Sequence, residues 1–206
     1  MKPDGTFILA SASPRRKLLL EQAGYRFEVV PSQVDESNVD ISGLTYEQAA
    51  ARLALAKAQD VAASYPDCLV LAADTVVDSD GVLIGKPADA AEAEAILRRL
   101  FRKPHRVITG IALVWKSRNL EICESCITWV YPKKITEEQL AAYLASGDWQ
   151  GKAGAYGIQE INDAFVERID GSFTNVVGLP MERVQSLLKQ WGIVPIPTKA
   201  GGDFSF

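Results

Sequence analysis

A chain of 206 residues, 48% hydrophobic and 23% charged, is long enough to bury a substantial core and shows no composition that argues for disorder. Its net charge of −4 excludes a surface that attracts nucleic acid polymers as a whole, so a bound phosphate is expected on a small molecule. No run approaches the ~20 apolar residues of a membrane span and no signal-peptide pattern opens the chain; with three cysteines that fit reduced thiols, the expectation is a cytoplasmic protein without a membrane partner.

The apolar run Phe7 to Ala10 reads as a short buried strand, and Leu18, Leu19, Leu20 and Ala23 recur behind it with a helical period. Ser13 suits the cap of this helix and Pro14 its first position, which sets Arg15 and Arg16 in the first turn. Each cation there costs roughly 0.3–1 kcal/mol if left alone. Either the two guanidinium groups swing into water or to a carboxylate, or an anion is held there by N–H groups, the hydroxyls of Ser11 and Ser13, and the guanidinium forks.

Tyr25 to Val30 reads as a second strand, followed by a polar loop carrying Asp35, Glu36 and Asp40. A long helix is expected from Thr45 to Ala63, with Thr45 and Gln48 forming a capping box. Ala50, Leu53, Ala54 and Val61 form its apolar stripe, and Lys57 lies within that stripe. Its ammonium either snorkels outward or meets a carboxylate or phosphate in a cleft.

The run Leu69 to Ala73 predicts a buried strand ending at Asp74-Thr75. Asp74 is thereby placed at the carboxyl end of a central strand, where open α/β sheets put their ligands. Paired with Glu36, it suits a hard divalent cation or an attacking water. Asp78, Asp80 and Gly81 predict a hairpin turn, Gly81 to Pro87 a short strand and a loop holding Lys86, and Ala88 to Phe101 a helix beginning at Asp89.

Arg106 to Trp115 and Leu120 to Tyr131 predict a long antiparallel hairpin. Cys123 and Cys126, three apart in its second strand, point to opposite faces and cannot share a zinc ion. His105, the one histidine, reads as structural. Thr136 caps a helix to Ala145, Gly151 to Gln159 is a glycine-spaced loop with room for close ligand approach, Ala164 to Ile169 is a strand, and Pro180 to Trp191 is the last helix. The sum is a mixed α/β fold over residues 1–192, two lobes with a cleft between them, followed by a tail from Ile193 to Phe206.

Arg15-Arg16 after Ser11 and Ser13, then Asp35-Glu36, Lys57, "AADTVV", "GKP", "HRVITG", "GKAGAYGIQ" and "GSFTNVVGLP", together resemble the Maf family of nucleoside triphosphate pyrophosphatases. The ordered set spans about Ile8 to Leu188. The resemblance implies an elongated central sheet flanked by helices, with a deep cleft, related in architecture to inosine triphosphate pyrophosphatases. It also implies a divalent cation, magnesium or manganese, and a nucleoside triphosphate split into a monophosphate and pyrophosphate. On the same footing, Asp74 is the proton acceptor or metal-linked carboxylate, with Glu36 and Lys57 completing the reaction centre. Ser11, Ser13, Arg15, Arg16 and Lys86 hold phosphates, while Thr75, Gln159 and Arg15 read the base. "ADT" and "GIQ" resemble the branch acting on dTTP and UTP, which removes non-standard pyrimidine nucleotides from the pool. The alternatives are the sister branch acting on 7-methyl-GTP and a nucleotide-binding regulator of septum formation; a homodimer is compatible with either.

Overall fold

The computed structural model describes residues 6–158 and 165–196. Strand β1 (Phe7–Leu9) is fully buried, and helix α1 (Pro14–Gln22) follows with Ser13 as its cap and Pro14 at its first position, as the sequence predicts. Gly24, at φ +78°, turns the chain back into β2 (Phe27–Val29), which runs parallel to β1. After a short 3₁₀ turn at Glu36–Asn38, helix α2 (Tyr46–Ser64) starts at the expected box, Thr45 Oγ1 accepting from Gln48 N and Gln48 Oε1 from Thr45 N.

Strand β3 (Val70–Ser79) departs from the expectation that it stops at Asp74-Thr75. Strand β5 (His105–Trp115) lies antiparallel to it from Val70↔Val114 to Asp78↔Arg106, and this ladder carries β3 four residues past Asp74. Asp74 is therefore mid-strand, and the hairpin turn is the pair Asp80-Gly81, with φ of +52° and +69°, leading into β4 (Val82–Ile84). Helix α3 (Ala90–Leu100) is capped by Asp89, whose Oδ1 accepts from Glu92 N. Strand β6 (Leu120–Pro132) completes the hairpin with β5. Its Cys123 and Cys126 face Ala112 and Thr109, one on each side of the sheet, and all three cysteines are free thiols.

Helix α4 (Glu137–Ser146) repeats the capping box through Thr136 and Gln139, and β7 (Val166–Asp170) adds an antiparallel edge to β6. Helix α5 (Phe173–Val177), which the sequence does not announce, precedes the expected last helix α6 (Met181–Gln190). Ile193, assigned to the tail from sequence, is 2% exposed in the core, and Ile196 N donates to Gly24 O at 2.9 Å. The packed body thus reaches beyond residue 192.

Among the described residues the strands form one seven-stranded sheet in the order β2-β1-β3-β5-β6-β7, with β4 attached to β3. With helices on it, this is the mixed α/β class that the sequence predicts. One face carries Ile8, Val70, Ala72 and Ala112 against Ala54, Ala58 and Val61 of α2, while the other carries Leu9, Leu71, Ile111 and Trp115 into a larger core with α3 and α6. Helix α2 rests directly on β5: a Cβ on Gly110 would stand 2.1 Å from the Ala50 carbonyl oxygen. Gly110 is the register partner of Asp74.

The topology leaves one opening. Because β5 occupies one edge of β3, both β1 and β4 pair with the opposite edge, β1 at Val70 and Leu71 and β4 from Val77 onward. Between them the edge of β3 around Asp74 and Thr75 has no strand neighbour among the described residues. No helix among the described residues is long and apolar enough to cross a membrane.

Candidate active site

A cavity of about 450 Å³ opens at that gap. Nine of the ten site residues named from sequence line it: Ser11, Ser13, Arg15 and Arg16 from the end of β1 and the start of α1, Glu36 from the 3₁₀ turn, Lys57 from α2, Asp74 and Thr75 from β3, and Lys86 from the loop after β4. The tenth, Gln159, lies outside the described residues.

Alternation along β3 sends Asp74 and Thr75 to opposite faces of the sheet. Asp74 faces α2, where the Lys57 ammonium donates to its Oδ1 at 2.5 Å and lies 2.7 Å from Glu36 Oε1. The Lys57 side chain is 13% exposed, so the lysine in the apolar stripe points inward and is compensated by carboxylates rather than snorkelling out. Burial alone would push the Glu36 carboxyl up, but the Lys57 hydrogen bond and the charges of Lys57, Lys86 and Arg16 hold it below its ordinary value. No described residue bonds the second oxygen of Asp74 or of Glu36.

The arginines at the start of α1 face the same space. Arg16 donates from Nε to Gly178 O at 2.8 Å, from Nη1 to Ser11 Oγ at 3.1 Å and from Nη2 to Thr75 Oγ1 at 3.1 Å. It has swung neither into water nor onto a carboxylate. Burial lowers its pKa from the ordinary arginine value, against the pull of Asp74, and an arginine so placed remains a cation. Ser11 Oγ accepts from Ser13 N at 3.2 Å as well as from Arg16, which leaves its proton to be given to an anion. Ser13 Oγ accepts from Arg16 N and caps the helix.

The sequence reading missed the opposite wall. Val107, Tyr156, Ile158, Val176 and Val177 give half of the cavity an apolar lining on the Thr75 side, and Gly178 closes it. At φ +120°, with Thr75 Oγ1 3.4 Å from where a Cβ would stand, Gly178 lets its carbonyl meet Arg16. Only the glycine spacing of Gly151 to Gly157, taken as room for a ligand, pointed there. His105 stands behind this wall with its Nε2 2.7 Å from Tyr156 Oη, consistent with a structural histidine.

A family model described as "Maf-like protein" matches residues 6–191. The chain belongs to the Maf family. A protein from Geotalea uraniireducens named dTTP/UTP pyrophosphatase is 44% identical over 94% of this chain and 99% of its own. The dTTP/UTP pyrophosphatase of Symbiobacterium thermophilum is 44% identical over 95% and 98% of the two chains, and that of Ruminiclostridium cellulolyticum 40% over 89% and 94%. The structure of a HAM1 protein from Coxiella burnetii aligns with a TM-score of 0.49 at 18% identity, covering 90% of this chain and 98% of that one.

In this Maf chain the carboxylates of Asp74 and Glu36, both lining the cavity, could hold a divalent cation. No group of three or more His, Cys, Asp and Glu suited to a metal occurs among the described residues. Two hard oxygen donors beside the cationic groups of Arg15, Arg16 and Lys86 fit a cation that takes its remaining ligands from substrate oxygens and water, as magnesium commonly does.

Proposed function

We propose that this chain hydrolyses dTTP and UTP to the monophosphate and pyrophosphate, the activity named for its relatives. The supporting observation is the single cavity in which Arg15, Arg16, Lys86 and Ser11 face the Lys57-bridged carboxylates Asp74 and Glu36. A triphosphate brings its negative charge to the cations at the start of α1, and those cations stabilise the charge gathering on the departing pyrophosphate. Ser11 and Ser13 fix the phosphate chain, and the apolar half of the cavity takes the base.

Asp74 is the proton acceptor. Its Oδ1 is held by Lys57, and its second oxygen orients a water toward the phosphorus of the α–β linkage and takes the proton as the P–O bond to pyrophosphate breaks. Lys57 positions Asp74 and Glu36 against each other. A divalent cation held by these two carboxylates would neutralise phosphate charge. Thr75, which lines the cavity, contacts the pyrimidine edge. The products of dTTP and UTP, separated by chromatography in the presence of magnesium or manganese, test this directly. Monophosphate with pyrophosphate is expected, whereas diphosphate with orthophosphate, or no turnover, would refute it.

A further inference from the structure

The hydroxyl of Thr75 belongs to a chain of hydrogen bonds whose direction can be read from one end. Thr109 Oγ1 lies 3.1 Å from the backbone oxygen of Asn175, and a carbonyl can only accept, so Thr109 spends its single proton there. Thr75 Oγ1 and Thr109 Oγ1 are 3.0 Å apart, and with the Thr109 proton committed, Thr75 must be the donor of that bond. Arg16 Nη2 fills one lone pair of Thr75 Oγ1. What remains is one lone pair and no proton.

The far end of the chain is fixed. Asn175 is fully buried on α5, and its Nδ2 donates to Val107 O at 3.1 Å and to Thr128 Oγ1 at 3.0 Å. Thr128 and Ser172 exchange bonds as well, Ser172 N donating to Thr128 Oγ1 and Thr128 Oγ1 to Ser172 O. Thr109 is 0% exposed, so water does not offer it another partner.

We infer that Thr109 is a positioning residue for base selection, because it fixes Thr75 as a pure hydrogen-bond acceptor toward the cavity. The ring N3 of uracil and thymine carries a hydrogen and donates, while N3 of cytosine is an acceptor and would face the Thr75 lone pair with its own. Lone pair against N–H is attraction; lone pair against lone pair is repulsion with both groups left unpaired. The selection of keto pyrimidines over cytosine is thereby set from behind the pocket wall. This rests on the pyrimidine triphosphate reading above.

The test is the ratio of kcat/KM for dTTP to that for dCTP, measured with product identification. In wild type the ratio is expected to exceed about tenfold. Thr109→Val keeps the shape but removes the acceptor, so the Thr75 proton turns into the cavity; the ratio is expected to fall about tenfold, while Thr109→Ser keeps the wild-type ratio. An equal loss on both nucleotides in Thr109→Val, as from structural damage, would overturn the assignment, as would a wild-type enzyme that does not distinguish them. Should Thr109→Val not fold, Thr75→Val decides: dTTP use is expected to drop about tenfold with dCTP within about twofold, and equal drops overturn it. Failure of the underlying activity is separately visible, since wild type would then release no pyrophosphate from dTTP at all.

Discussion

Two aspartates on the same face of β3 have nearly the same surroundings by inventory. Asp74 and Asp78 are 7% and 6% exposed, and each meets a cation that also grips a glutamate: Lys57 with Glu36 for the first, Arg106 with Glu47 for the second. What separates them is how their oxygens are spent. Asp78 Oδ1 accepts from Gly81 N at 2.9 Å and its Oδ2 takes the Arg106 fork at 2.8 and 2.6 Å, while β4 covers the strand edge beside it. Asp74 gives one oxygen to Lys57 and stands where that edge has no neighbour. A planar guanidinium saturates a carboxylate and a point-charge ammonium does not. Availability for chemistry thus follows from unspent hydrogen-bonding capacity at a break in the sheet; burial and charge alone do not distinguish the two sites.

The sharpest way to break this contrast is to neutralise each aspartate. Asp74→Asn is expected to lower turnover about 10³-fold with the melting temperature nearly unchanged. Asp78→Asn should keep turnover within severalfold and lose about 1–3 kcal/mol in a denaturant titration, because half-buried Arg106 is left with Glu47 as its one carboxylate partner among the described residues. An Asp78→Asn enzyme that is stable but inactive would erase the distinction. Next in size, Lys57→Met should cut kcat about 10²-fold, whereas Arg106→Met should act on stability and leave KM alone; steady-state kinetics beside circular dichroism melts separate them.

Arg15→Ala and Lys86→Ala should each raise KM for dTTP about tenfold with a smaller effect on kcat, and an unchanged kcat/KM would remove that residue from the phosphate cradle. The smallest effect concerns the closed end of β5. Burial pushes the His105 imidazole down to about 4, against about 6.5 in an unfolded chain. Between these values the unfolded state binds the extra proton, so this contribution is present above pH 6.5 and drains away as pH falls toward 4. By pH 5.5 the loss should amount to on the order of 1 kcal/mol, and the melting temperature of His105→Gln should fall less steeply than that of wild type over this window.

Much of this site is legible in the sequence, for local reasons. Ser13, Thr45 with Gln48, Asp89 and Thr136 with Gln139 all cap the helices they announce, because capping is decided within a few residues. Lys57 betrays itself as a charge in an apolar stripe, and the two arginines as cations at the wrong end of a helix. The extent of β3 is not legible, since its second half is held by pairing with β5, distant in the chain. Helix α5 has five residues, too few to show a period, and the apolar wall it contributes is invisible for the same reason. The capture of Arg16 by Gly178 joins residues far apart in sequence and has no local signal.

Gly110 has a consequence for how the reaction centre tolerates change. With the Ala50 carbonyl 2.1 Å from where a β-carbon would sit, helix and strand touch main chain to main chain, with no side chain serving as a spacer between them. Repacking elsewhere in the interior can drift without altering that interval, so the distance from the helix bearing Lys57 to the strand bearing Asp74 is insulated from ordinary core variation. The same contact is a hard stop: one added methyl must lift the helix that bears Lys57 from the strand that is paired with Asp74's own.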